Sequence, residues 1–216
     1  MDNLNKYIEH TILKQDATQA ELTKLFDEAI ENKFLGVCIN PCHVKFAKEH
    51  LKDTNVKIVT VIGFPLGANK FEVKAYETKL AVADGADEID MVINVGLIKD
   101  KDYKAVQKDI EAVRVSCPKK ALKVILETDL LTKEEIETAC MLCIAAKADF
   151  VKTSTGFVKN GIGAKIEDVE IMYKIVSPHG LQVKASAGIR DKQKAFDLIK
   201  AGASRLGTSA SVELVK

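Results

Sequence analysis

Histidine is scarce in this sequence. His10, His43, His50 and His179 are the only four, and no two stand at ligand spacing. That argues against a dedicated transition-metal site, which draws on clustered His and Cys. No apolar run approaches the ~18 residues that cross a bilayer, and the opening MDNLNKYIEH lacks the apolar stretch of a secretory signal. Excess charge is lacking too. Against 32 Lys and Arg stand 31 Asp and Glu, a net charge of +1. Such a balance carries no mark of a nucleic-acid or membrane partner.

The cysteines are Cys38, Cys42, Cys117, Cys140 and Cys143, an odd count of 5. With no secretory signal, free thiols in a reducing cytosol are expected. Cys140 and Cys143 form a C-x-x-C, but ETACMLCIAAKA reads as the apolar face of a helix. Buried structural thiols are expected there rather than a redox pair. No Ser/Pro-rich linker divides the chain, so residues 1–216 are expected to form one domain.

What the sequence does have is alternation. β-branched runs at 9–13, 36–40, 57–63, 88–94, 122–128, 149–154, 181–186 and 204–209 read as strands. The first is the weakest, being short and polar. Amphipathic segments at 18–33, 70–85, 102–117, 131–140, 165–176 and 191–202 read as helices. Thr18 with Glu21, and Thr132 with Glu135, have the spacing of capping boxes, and Gly85 and Gly202 stand at helix ends. Eight strand–helix units in this length predict a single α/β (β/α)8 TIM barrel. An open doubly wound sheet is the competitor, but no G-x-G-x-x-G follows an early strand.

Active sites of such barrels lie at the C-terminal ends of the strands. Lys152 in DFVKTSTG and Lys184 in LQVKASAG each follow apolar strand residues and precede small ones. Asp90 lies inside EIDMVIN, Lys123 inside LKVILET, and RLGTSAS follows the last strand. One strand lysine alone reads as a snorkelling or edge residue. Two, with an aspartate at matching depth, have no comfortable face in a parallel barrel unless they converge. Asp87 and Glu88, earlier in the same stretch, are expected in solvent.

Two close ammonium groups and a dry pocket each disfavour protonation. Bringing a lysine from about 10.4 to near neutrality takes roughly 3 units, or about 4 kcal/mol. The product is an amine able to attack a carbonyl, which is Schiff-base chemistry. The segments TSTG, ASAG and LGTS offer backbone N–H groups and hydroxyls with little bulk. Ordinary tight turns would use the same residues, but three on successive late strands suit a phosphate site.

The motifs EIDMVIN, KVILET, ADFVKTSTGF, VKASAGIR and RLGTSAS, with VIGFPLG earlier, resemble the deoxyribose-phosphate aldolase family along essentially the whole chain. The resemblance implies a class I aldolase that cleaves 2-deoxy-D-ribose 5-phosphate to glyceraldehyde 3-phosphate and acetaldehyde. It implies Lys152 as the Schiff-base lysine, Lys184 as its partner cation and Asp90 as a proton shuttle. Thr155, Gly156, Gly188, Gly207 and Ser209 fall in substrate- and phosphate-binding segments. No cofactor or metal is implied, and a cytosolic homodimer is the assembly entertained. The chain departs from the family's usual pattern at Glu9, where Asp is common, at Ala187, where a glycine is common, and at Ala210, where a second serine is common. Lys123 and Arg190 are expected near the site without an assigned step. The competing readings are another phosphate-binding barrel lyase or isomerase, and a non-catalytic sugar-phosphate-binding barrel.

Overall fold

The computed structural model of the chain describes residues 3–216. Eight strands are β1 (Ile8–Ile12), β2 (Gly36–Ile39), β3 (Lys57–Ile62), β4 (Glu88–Val92), β5 (Ala121–Ile125), β6 (Phe150–Lys152), β7 (Gln182–Ser186) and β8 (Ala203–Thr208). Each pairs in parallel with the next, and β8 closes onto β1, so the sheet is a sealed barrel in sequence order. The helices are α1 (Gln19–Glu31), α2 (Val44–His50), α3 (Phe71–Asp84), α4 (Val95–Lys99), α5 (Tyr103–Ser116), α6 (Lys133–Ala145), α7 (Ile166–Val176), α8 (Lys192–Lys200) and α9 (Ser211–Val215). None is long and apolar enough to cross a membrane.

Local chemistry sets the helix limits. Thr18 and Thr132 each cap a helix whose third residue, Glu21 or Glu135, reaches back to the cap N–H. This reciprocal bonding satisfies two donors that the helix cannot. Gly85 ends α3 with φ +112°, a left-handed conformation open to glycine at little cost. α1 buries Leu22, Leu25, Phe26 and Ala29 on one stripe. Each large side chain gains about 2 kcal/mol from leaving water, and Phe26→Ala would cost about 3–5 kcal/mol.

Period-2 alternation divides every strand between two environments. Outward residues such as Ile89, Met91, Leu122, Val124, Val151 and Val183 join the apolar layer under the helices. The inward set is not uniform. On β2 and β3 it is a small apolar cluster of Cys38, Val59 and Val61. On β1 and β4–β7 it is charged: Glu9, Glu88, Asp90, Lys123, Lys152 and Lys184 are all buried. The barrel interior therefore has an apolar arc and an ionic arc. All five cysteines are unpaired; Cys140 and Cys143 are buried on α6, where burial pushes both thiols up, Cys140 to about 12.

Candidate active site

Strand register alone brings the key side chains together. Lys152 stands directly opposite Lys184 across β6 and β7, and Asp90 opposite Lys123 across β4 and β5. Opposed residues of paired strands project from the same face, so all four point to the axis. There Lys152 Nζ donates to Asp90 Oδ2 at 2.7 Å, and Lys184 Nζ donates to the same oxygen at 2.7 Å. The two nitrogens thus lie within twice that distance of each other. Lys123 Nζ takes the other oxygen, Asp90 Oδ1, at 2.9 Å. Lys184 also donates to Glu9, whose second oxygen lies 3.4 Å from Lys123 Nζ.

Three buried cations therefore face three buried carboxylates, Glu9, Glu88 and Asp90. Burying so many charges is tolerable only because each is paired. Burial alone would raise the Asp90 carboxyl, yet Lys123, Lys152 and Lys184 hold it well below its ordinary range. Burial would lower Lys184, but the Asp90 and Glu9 carboxylates outweigh it and push the amine up. Lys184 is thus a fixed cation beside Lys152. Lys123 is likewise pushed up to about 12, against burial, chiefly by Asp90 and Glu9.

The C-terminal mouth of the barrel opens above this cluster. A cavity of about 250 Å³ is lined by Lys152, Thr155, Gly156, Gly188, Gly207 and Ser209, with Arg190 at its edge. Asp90 and Lys184 lie beneath its floor, fully buried. Ser186 N donates to Thr153 Oγ1 at 3.0 Å and Thr153 Oγ1 donates to Ser186 O at 3.1 Å, locking the ends of β6 and β7 together. Gly207 is small for a reason: a Cβ there would meet Lys184 Cε at 3.2 Å and Ser186 Cβ at 3.1 Å. Ala187 adopts φ +68°, a left-handed conformation costly for any residue with a Cβ. Ser211, beside the Ala210 departure, is buried and donates its hydroxyl to Thr208 O at 3.0 Å.

Every site residue named from the sequence is thus in or directly under one cavity. One expectation is corrected: Glu88 is not solvated but 2% exposed, and its second carboxylate oxygen sits 2.7 Å from Lys123 Nζ. It is two residues before Asp90, so the strand turns both to the axis; that spacing was the available signal. Glu9, whose role the sequence left open, pairs with Lys184. Glu127 was missed altogether. It is buried at φ +60°, accepts from Thr155 N at 3.1 Å and from Thr155 Oγ1, and burial pushes its carboxyl up. Its two bonds fix the loop that follows Lys152. Nothing in ETD marked it, because its partner is 28 residues away.

Glu9, Cys38 and Asp90 place ligand atoms within 4.8 Å of one another. A cation seated there would have to displace Lys184 from both carboxylates. The ionic arc is in that sense already filled by the protein's own ammonium groups.

The model of the DeoC/LacD family of aldolases matches residues 4–209. The chain belongs to that family. Among curated relatives, the aldolase is 56% identical over 212 residues to deoxyribose-phosphate aldolase of Clostridium perfringens, covering 98% of this chain and 93% of the relative. It is 50% identical over 213 residues to that of Finegoldia magna, covering 99% of each. Among solved structures, the deoxyribose phosphate aldolase of Aeropyrum pernix, described as a tetramer, superposes with a TM-score of 0.91 at 31% identity, over 99% of this chain and 90% of that one.

Proposed function

We propose that the chain interconverts 2-deoxy-D-ribose 5-phosphate with glyceraldehyde 3-phosphate and acetaldehyde, through a Schiff base on Lys152. The full-length likeness to deoxyribose-phosphate aldolases supports the reaction. One observation carries the residue assignment: at the floor of the cavity, Lys152 and Lys184 share a single oxygen of Asp90.

The unprotonated Lys152 amine adds to the C1 aldehyde of the open-chain sugar. The resulting carbinolamine loses water to give a protonated imine. The C2–C3 bond then breaks, its electron pair flows to the iminium as an enamine, and the C3 hydroxyl loses its proton. Glyceraldehyde 3-phosphate leaves. The enamine takes a proton at C2, and water releases acetaldehyde and regenerates the amine. Asp90 lies where it can relay these protons, and Lys184 where its fixed charge disfavours a second cation beside it.

Thr155, Gly156, Gly188, Gly207 and Ser209 are assigned to the substrate and its phosphate, with backbone N–H groups and hydroxyls as donors. The same reading places the enzyme in the cytosol as a homodimer; a monomer in sedimentation velocity would remove the second part.

Borohydride reduction in the presence of acetaldehyde, followed by peptide mapping, tests the mechanism. An ethyl adduct on Lys152 is expected, and none in Lys152→Ala. An active enzyme that traps nothing, or traps elsewhere, would overturn the assignment.

A further inference from the structure

We propose that Glu88 is a positioning residue for the reaction, acting from the base of the barrel through Lys123 on Asp90. This rests on the aldolase reading above. Glu88 opens β4 at the N-terminal end, away from the mouth, and touches none of the residues around the cavity except through Lys123.

The geometry is a ladder of alternating charge along the axis. Lys57 Nζ, 43% exposed at the base, pairs with Glu88 Oε1 at 2.5 Å. Glu88 Oε2 lies 2.7 Å from Lys123 Nζ, which donates to Asp90 Oδ1 at 2.9 Å. Asp90 Oδ2 then holds Lys152 and Lys184. The groups facing Lys123 are Glu9 from β1, Glu88 and Asp90 from β4, the Phe150 ring from β6 at 5.8 Å, and Lys184 from β7. Arg205 from β8 lies over the same Phe150 ring at 5.5 Å and approaches Glu9 at 3.9 Å.

Lys123 divides its charge between Glu88 below and Asp90 above. Burial would raise the Glu88 carboxyl, but Lys123 and Lys57 hold it down at about 2, so the lower anion is permanent. Without it, Lys123 has carboxylates only on its upper side and presses closer on Asp90. Asp90 would then hold Lys152 less well, and the Asp90 oxygen would be a poorer proton acceptor. Removing one buried negative charge also makes any nearby ammonium give up its proton at lower pH.

The test compares wild type, Glu88→Gln, Glu88→Asp and Lys57→Gln by the pH dependence of borohydride trapping and by steady-state kinetics. Glu88→Gln is expected to move the trapping midpoint down by about one pH unit, the effect of a unit charge roughly 10 Å away in a protein interior. Its kcat falls about tenfold while KM changes by less than about twofold, because the phosphate contacts at the opposite end are untouched. Glu88→Asp, which keeps the charge, restores most of the wild-type profile. The Lys57 side chain is half-exposed, so Lys57→Gln removes no core packing; it is expected to move the midpoint upward, by a smaller amount.

A folded Glu88→Gln enzyme with an unshifted profile and full kcat overturns the inference. Should that variant fail to fold, an unshifted midpoint in Lys57→Gln overturns it equally. A wild-type enzyme that traps nothing at Lys152 overturns the aldolase mechanism and this inference with it.

Discussion

Lys152 and Lys184, opposite each other on β6 and β7, donate to one and the same carboxylate oxygen, Asp90 Oδ2, each at 2.7 Å. Two ammonium groups so close repel each other, and the shared anion is what makes the arrangement tolerable. The pairing also differentiates them. Lys184 has a second carboxylate, Glu9, and lies fully under the floor. Among the described residues Lys152 pairs with Asp90 alone, and it lines the cavity.

Lys184→Leu removes the fixed cation. The pH midpoint for trapping at Lys152 is expected to rise by about 1–2 units, because Asp90 then favours the Lys152 ammonium unopposed by its neighbour. Trapping yields measured from pH 5 to about pH 10 read the shift. An unchanged profile would contradict the electrostatic role.

Asp90→Asn leaves three buried lysines without their common anion. Turnover is expected to fall by at least about 10²-fold, the scale of a lost acid–base group. Urea unfolding should show a loss of about 3–5 kcal/mol, the cost of breaking a buried ion pair from one side. Wild-type stability in this variant would mean that Asp90 does not compensate the lysines.

Gly207→Ala tests packing rather than charge. The new Cβ would stand 3.2 Å from Lys184 Cε and 3.1 Å from Ser186 Cβ, tighter than either tolerates without moving. The displaced Lys184 is expected to lower kcat by about tenfold, since a small displacement of a proton-relay group is costly, and the added bulk on the cavity wall to raise KM as well. A rise in KM with kcat unchanged would mean that Gly207 serves the substrate and not Lys184.

Stability should fall on acidification. Glu88 is held at about 2 in the fold against an ordinary value near 4.5, its carboxylate favoured by Lys123 and Lys57 over the opposing effect of burial. A lowered carboxyl contributes stability that is full above its unfolded value and lost as pH drops through its folded one. For Glu88 this is about 3 kcal/mol, lost between pH ~4.5 and ~2. Asp90, lowered as well, acts with the same sign, while Glu127, raised by burial, offsets part of it. Urea midpoints at neutral and acidic pH measure the loss, and Glu88→Gln should flatten the curve.

The barrel was legible because the strands' outward sides are mostly apolar, His10 and Thr60 being among the exceptions, and because α1 and α6 open on the capping boxes of Thr18 and Thr132. α2 was not. It has only 7 residues behind a Pro41 turn, too short for a 3.6-residue period to declare itself. α4, at 5 residues, escaped for the same reason. In the site, Lys152, Lys184 and Asp90 were legible as charges breaking apolar runs. Glu88 was not, because it sits at a strand edge beside the half-buried Asp87 and reads as the polar end of a loop. Glu127 depends on a contact between two loops, and no local pattern encodes that.

The balance of three cations against three carboxylates inside the barrel has a consequence for turnover itself. The cation made when the neutral amine becomes an iminium, discharged in the enamine and restored when C2 is protonated, arises each time beside the Asp90 carboxylate. That anion is already in place and need not reorient, so a rigid, dry interior that would be a poor solvent for a newly made ion can hold this one.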